Sequence, residues 1–582
     1  MWRLLSILVF SYCASAQSAT TNDWQNNWWL ASQNSQQNSL SWLAGEPNTA
    51  PASVPLGSLW KLFVYNYSLD QGLPDTPYQC HVGKQAALGD EYCCSHDETI
   101  DRDTALARSC GAYFEPKRLQ IDADSWQQYW QKKAPNIQWL HALNSMQPQT
   151  KSSVQDILNA LKSLSPTSVT QSRQALLGRL LQPQWSELLP SLGGAYRFKT
   201  FTWQHPQYKG AYFGGAAGWL ADGTVFWLGG AGSSKEVLLK AAPTLAKNLM
   251  LTPPSKQAFN EDCVTVRYFK RYPIQQVNKT GSADTPIASG TLRGLYSVKF
   301  TNGNALSMQS NGELALSTSH NKPQIWGKLG LQEYIARVVD READAKSVEA
   351  AKALSIAARS YLYQNAQFHL GCWQIDDDSR TQRVSPNPAS SPARAVAAFT
   401  EGLALTGEPI YYHQNKSKAN TLNWQAAVAR TALGDNYLAL LHTAYPNASW
   451  RISKDMNKQT QNCRNLPAAE NYMQQNMQEA RKILVNTAGL QKITGLKVCQ
   501  LDYGNPYADQ QSMRIYVRDW RSENDRITLW HEYLHLALRY HPNGSNENVI
   551  EPLARQLAQT LTFNLSATNT HNQAAKRIRH AQ

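Results

Sequence analysis

Hydrophobic and polar positions change rhythm several times along this chain, and each change predicts a different element. Residues 290 to 320 alternate apolar and polar, the period of strands with one buried face. Asn302-Gly303 and Asn311-Gly312 interrupt that alternation and predict hairpin turns. Residues 331 to 365 switch to helical spacing in an alanine-rich block. Helix is predicted again from Ala393 to Leu405 and from Leu433 to Thr443. After Pro446 a new unit is expected. It opens with a helix from Ala468 to Leu490 and a strand from Met513 to Trp520. An amphipathic helix from Ile527 to Tyr540 follows, halted before Pro542. After a turn at Gly544, a second helix is predicted from Glu547 to about Leu561. Nearer the start, residues 17 to 50 are polar and read as part strand, part loop. Residues 58 to 250 mix helical patterns with glycine-rich strands such as Gly210 to Gly232. The Pro/Lys-rich stretch Thr252 to Lys256 predicts a boundary.

The first residues change the picture most. Met1-Trp2-Arg3, the apolar run Leu4 to Phe10 and Ala14-Ser15-Ala16 form a signal-peptide pattern, with cleavage expected after Ala16. No later stretch has the roughly 20 apolar residues of a membrane span. At 582 residues the chain has room for three or four domains of roughly 150 residues. Removing Cys13 with the leader leaves eight cysteines, an even count that in an exported chain favours disulfides. Local bridges are expected within Cys80 to Cys110 and between Cys463 and Cys499. The formal net charge of +13 suits anionic envelope surfaces. No basic helix or aromatic-basic motif points to nucleic acid.

The densest chemistry lies near the carboxy end, in His531-Glu532-Tyr533-Leu534-His535. Residues four apart share one helix face, so the two imidazoles can grip one Zn2+ ion and Glu532 can act on a water beside it. The third ligand is a choice. His541 lies six residues past His535, about 240° round an unbroken helix. Glu547 stands in Asn546-Glu547-Asn548-Val549-Ile550-Glu551, which resembles the Asn-Glu-x-x-x-Asp element of gluzincin metallopeptidases. That resemblance implies His531, His535 and Glu547 as zinc ligands, Glu532 as general base and Glu551 as the group orienting His531.

Ser58-Leu59-Trp60-Lys61 has the Ser-x-x-Lys spacing of serine acyl-enzymes, one helical turn from hydroxyl to amine. With Ala105 to Phe114 it resembles the transpeptidase domain of penicillin-binding proteins. There Ser109 fits the second motif, and Gly111 replaces its asparagine. The third motif, Lys-Thr-Gly on a strand, is best matched by Gly215-Ala216-Ala217-Gly218, which lacks the lysine. Ser58 and Lys61 are the catalytic candidates. The two missing elements point to a ligand-binding descendant.

Leu331 to Glu342, Glu349 to Tyr361, Ala395 to Gly402 and Ile410 to His413 resemble, in order and spacing, the SpoIID/LytB domain of sporulation stage II protein D. That family's peptidoglycan lytic transglycosylases imply Glu342 as the acid that protonates the glycosidic oxygen, which requires a raised pKa. The family's Gly-Gly-x-Thr after the histidine is absent here.

The resemblances imply a multidomain α+β protein. A penicillin-binding/β-lactamase-like α/β sandwich would occupy 17–255, a SpoIID-like α+β domain 256–450 and a zincin-like α+β domain 451–570. A basic tail would cover 571–582. The expected function is a periplasmic or extracellular zinc-dependent amide hydrolase with a glycan-binding or glycan-cleaving module, acting on peptidoglycan or an envelope protein. The alternative is a peptidoglycan-binding scaffold without turnover.

Overall fold

The computed structural model describes residues 27–34, 39–81, 93–94, 98–204, 211–251, 262–281, 286–319, 322–369, 371–452, 463–500, 506–509, 513–539, 541 and 549–561. The leader with Cys13, the boundary segment at Thr252 to Lys256, Gly544, Glu547 and the basic tail lie outside them. The chain forms two compact units, residues 1–192 with 196–259 and residues 193–195 with 260–582.

The first unit holds a five-stranded antiparallel sheet. Its strands are β1 (Trp28–Gln33), β2 (Ser41–Ala44), β3 (Arg197–Gln204), β4 (Tyr212–Trp219) and β5 (Val225–Ala231), in the order β2-β1-β5-β4-β3. Between β2 and β3 the chain runs through helices that include α1 (Trp60–Asp70) and α2 (Arg102–Arg108). Helix α1 is buried almost all round, as its apolar run Leu62-Phe63-Val64-Tyr65 requires. Gly215 and Gly218 sit inside β4. A Cβ at Gly215 would stand 1.9 Å from the Leu228 carbonyl, and one at Gly218 would stand 2.0 Å from that of Arg197. These glycines therefore serve close strand packing.

The second unit opens with a seven-stranded sheet. It contains β6 (Cys263–Tyr268), β7 (Ile274–Lys279), β8 (Gly290–Phe300), β9 (Ala305–Ser319), β10 (Lys322–Gly330), β11 (Gln367–His369) and β12 (Cys372–Asp376). The order is β7-β8-β9-β10-β6-β12-β11. Strands β6 and β12 run parallel, with Cys263 opposite Cys372, and a disulfide joins them there. Asn302-Gly303 turns β8 into β9 as expected. Asn311-Gly312 does not turn the chain. It lies inside β9 at a register shift against Leu292 and Arg293, where the Ser310 hydroxyl bonds the Leu292 carbonyl.

The alanine-rich block is two helices, α3 (Leu331–Glu342) and α4 (Val348–Asn365), separated at 343–347. The helix expected over Ala393 to Leu405 ends at Phe399, and its last residues form a strand from Leu403 to Thr406. A short strand β13 (Tyr411–His413) follows.

The remainder builds a separate hydrophobic core around Leu529, Trp530, Leu534, Ile550 and Leu557. It combines α5 (Pro467–Ile483), β14 (Lys497–Gln500), β15 (Tyr507–Asp509), β16 (Arg514–Val517) and α6 (Glu523–Ala537), with helical residues 549–561. The strand order is β14-β16-β15. Helix α6 begins four residues before the apolar pattern does. Ser522 caps it in a reciprocal capping box with Asp525.

The cysteines pair as Cys80–Cys94, Cys93–Cys110, Cys263–Cys372 and Cys463–Cys499. Both expected local groups are present, and the long-range bridge between β6 and β12 is the addition.

Candidate functional sites

Helix α6 places His531 and His535 on one face. Their Nε2 atoms lie 3.0 Å apart, with the rings inclined at 72°. Nδ1 of His531 lies 3.0 Å from Oε2 of Glu551, on the helical residues 549–561. Glu551 also pairs with Arg555 at 2.6 Å. Glu532, between the histidines, is only 7% exposed. His541 goes elsewhere. Gly489 has a positive φ of 80°, and a Cβ there would meet the His541 ring at 2.4 Å. The imidazole thus packs on the chain after α5. Glu547 is outside the described residues. Among the described residues, the cluster of three close ligand-type atoms is Cys93, Cys94 and Cys110, and disulfides consume all three.

Glu342 ends α3. Burial pushes its carboxyl above the usual range. The backbone N–H of Arg383, 3.0 Å from Oε1, and the charges of Arg383 and Arg341 pull it partly back, while the charge of Asp377 adds to the rise. The Gln414 side chain donates to the Glu342 carbonyl. Tyr412 from β13 lies beside it, its phenol held well above the ordinary value by burial and then by the Glu342 charge. Gln382 fixes that phenol, donating from Nε2 to Tyr412 at 3.0 Å and to the Ala358 carbonyl at 2.9 Å, and it accepts from Tyr334. Tyr361 meets Tyr411 and Tyr412 edge-on. The next loop is held against α3 by Arg337, which is 1% exposed. Arg337 donates to Glu313 at 2.6 Å, Glu333 at 2.9 Å and the Pro386 carbonyl at 3.1 Å. His413 is exposed and accepts the backbone N–H groups of Asn415 and Lys416.

In the first unit Ser58 sits on the one-turn helix Gly57–Leu59 that leads into α1, and it is half-buried. Gly57 has φ 48°, and a Cβ there would lie 3.0 Å from the Phe201 side chain, so this turn rests on β3. Lys61 is fully buried and donates to the Ser109 carbonyl at 2.7 Å. Ser109 ends α2 in the left-handed conformation, φ 64°. Its hydroxyl receives Nζ of Lys199, at 2.6 Å, from β3, and that amine also donates to the Thr200 carbonyl. The expectation that residues 215–218 hold the third motif is therefore corrected. That segment is a buried strand in which neither Gly215 nor Gly218 has room for a Cβ, whereas Lys199 on β3 reaches the Ser109 hydroxyl. Sequence reasoning missed Lys199 because its partner is 90 residues away.

Among the described residues no helix is long and apolar enough to cross a membrane. A family model described as a predicted secreted protein (DUF2300) matches residues 88–207 and 420–543. Two solved structures overlap part of the chain at TM-scores too low to carry an assignment. L2 complexed with relebactam is 14% identical with TM-score 0.26, covering 38% of this chain and 91% of that one. A class A β-lactamase described as the last common ancestor of Gram-negative bacteria is 13% identical with TM-score 0.27, covering 39% and 94%. The uncharacterized protein YfaQ of Escherichia coli (strain K12) is 40% identical over 508 residues, covering 87% of this chain and 90% of the relative. With that identity over nearly the whole of both chains, the protein belongs to the DUF2300 family of predicted secreted proteins and is exported.

Proposed function

We propose that this exported protein is a zinc-dependent hydrolase of amide bonds in the bacterial envelope, acting on peptidoglycan stem peptides or envelope proteins. The observation that carries the reading is the histidine pair, with Nε2 atoms 3.0 Å apart while Glu551 occupies Nδ1 of His531. If His531 donates from Nδ1 to Glu551, its Nε2 presents a lone pair towards His535. The donor set fits zinc, because one ion about 2.0–2.1 Å from each nitrogen spans their separation. His531, His535 and Glu547 would hold it. Bound zinc would supply a Lewis acid and a water of lowered pKa. Glu532 would take the proton of the attacking water and pass it to the leaving amine. Glu551 would keep the His531 ring in one tautomer and one orientation.

The test is digestion of purified sacculi and of an unstructured protein. New free amines should appear with the wild type and vanish with Glu532→Gln, which should keep its metal. Undiminished cleavage by Glu532→Gln contradicts the reading.

A second activity is favoured by Glu342, a desolvated carboxyl held above its ordinary range beside a tyrosine-lined wall. On the SpoIID resemblance it would protonate a glycosidic oxygen of peptidoglycan. Anhydro-sugar ends in digested sacculi, lost in Glu342→Gln, would support this. The first unit fits a ligand-binding role in which Lys61 and Lys199 bring positive charge to Ser109. Metal-free protein that retains sacculi and releases no product would favour the scaffold alternative.

A further inference from the structure

Three consecutive aspartates close β12 and continue past it: Asp376, Asp377 and Asp378. Neighbours in extended chain point to opposite faces, and these three are sorted that way. Asp376 pairs with Arg267 and Lys270, each at 2.7 Å, and Asp378 pairs with Arg271 at 2.6 Å. Those are partly solvated ion pairs of structural type. Asp377 turns the other way. Its Oδ1 accepts the Val384 N–H at 3.0 Å, and the Phe269 amide also donates to it. The preceding amide, of Arg383, donates to Oε1 of Glu342 at 3.0 Å. Two consecutive peptide N–H groups thus hold two carboxyls. Their segment is anchored on both sides. Asp377 bridges to Gln382, and the Ser385 N–H donates to the Arg337 carbonyl at 3.2 Å.

We infer that Asp377 is the second carboxyl of the Glu342 site, a positioning residue held beside it by two consecutive peptide N–H groups. Its part in proton delivery rests on the glycan reading of Glu342; the pairing of the carboxyls does not. Burial raises both groups above the usual carboxylate range. Asp377 adds to the rise at Glu342, against Arg383 and Arg341. At Asp377 burial is the largest influence, opposed by the two amides and by the same two arginines. The other groups facing the pair are Tyr412 beside Glu342, and Tyr268 and Tyr334 beside Asp377, all phenols that burial keeps neutral.

Carbon-13 NMR of the full chain labelled at the glutamate carboxyl tests this, with Glu342→Gln assigning the resonance. In the native protein Glu342 should titrate with a second, smaller inflection where Asp377 ionises. In Asp377→Asn its midpoint should fall by roughly one pH unit, and Asp377→Glu should restore it. An unchanged midpoint in a folded Asp377→Asn overturns the inference. Should that variant not fold, the native chain decides, because a single-step titration also overturns it. Coupled titration together with sacculi that yield no anhydro-sugars would leave the carboxyl pair standing and remove the glycan reading.

Discussion

The Glu342 site and the histidine pair on α6 treat charge in opposite ways. Glu342 is enclosed by groups of its own fold, an amide, an amide side chain and a phenol, and burial raises its carboxyl above the usual range. His531 and His535 turn two ring nitrogens towards one another, 3.0 Å apart, with a carboxylate behind one of the rings. One site is a desolvated carboxyl, and the other is a pair of imidazoles with a carboxylate behind one ring. The difference teaches where each is vulnerable. The first depends on packing, and the second on two side chains and the carboxylate behind them.

Exchanging the acids should separate the sites most sharply. Glu532→Gln should lower amide cleavage by about 10²–10⁴-fold and leave anhydro-sugar formation intact, while Glu342→Gln should do the reverse, read from the products of digested sacculi. Loss of both activities in either variant would mean one shared site. Next in size is the staple between β6 and β12. Replacing Cys263 and Cys372 by serine should cost about 2–5 kcal/mol in urea unfolding. It should disturb the Glu342 site, whose Asp377 follows β12, and spare metal uptake. Glu551→Gln should weaken zinc about 10–100-fold in a chelator competition, with Glu342 chemistry unaffected. Ser522→Ala removes the cap of α6 and should cost about 1 kcal/mol.

The smallest effect is one of sign. A carboxyl raised in the folded state favours folding while protonated, so its stabilisation is present in acid and fades as pH climbs through the raised value. Glu342 and Asp377 are both raised. Glu342→Gln should therefore flatten the decline of thermal stability from acid towards neutral pH. A steeper decline would contradict the assigned direction.

Local periodicity reached much of this. The i, i+4 histidines needed only helix geometry, and α6 is the helix expected, extended at its start by a cap that the apolar pattern does not encode. Asn302-Gly303 was legible because an unpaired turn follows local rules. Asn311-Gly312 was not, because β8 opposite absorbs the extra residues as a register shift, which only pairing reveals. The break between α3 and α4 was hidden by alanine-rich sequence on both sides. Lys199 and Asp377 were missed for the same reason. Each acts on a residue distant in the chain, Ser109 and Glu342, and locally Asp377 reads as the middle of a solvated acidic run. Alternation along an extended segment was the one available signal that it faces differently from its neighbours.

A zinc hydrolase of the proposed kind needs His531 and His535 to hold one metal ion. Zinc content of the purified, dialysed protein measures it directly, with Glu532→Gln and His535→Ala alongside. One zinc per chain is expected in the wild type and in Glu532→Gln, and none in His535→Ala. A metal-free wild type, or zinc retained in full by His535→Ala, would contradict it.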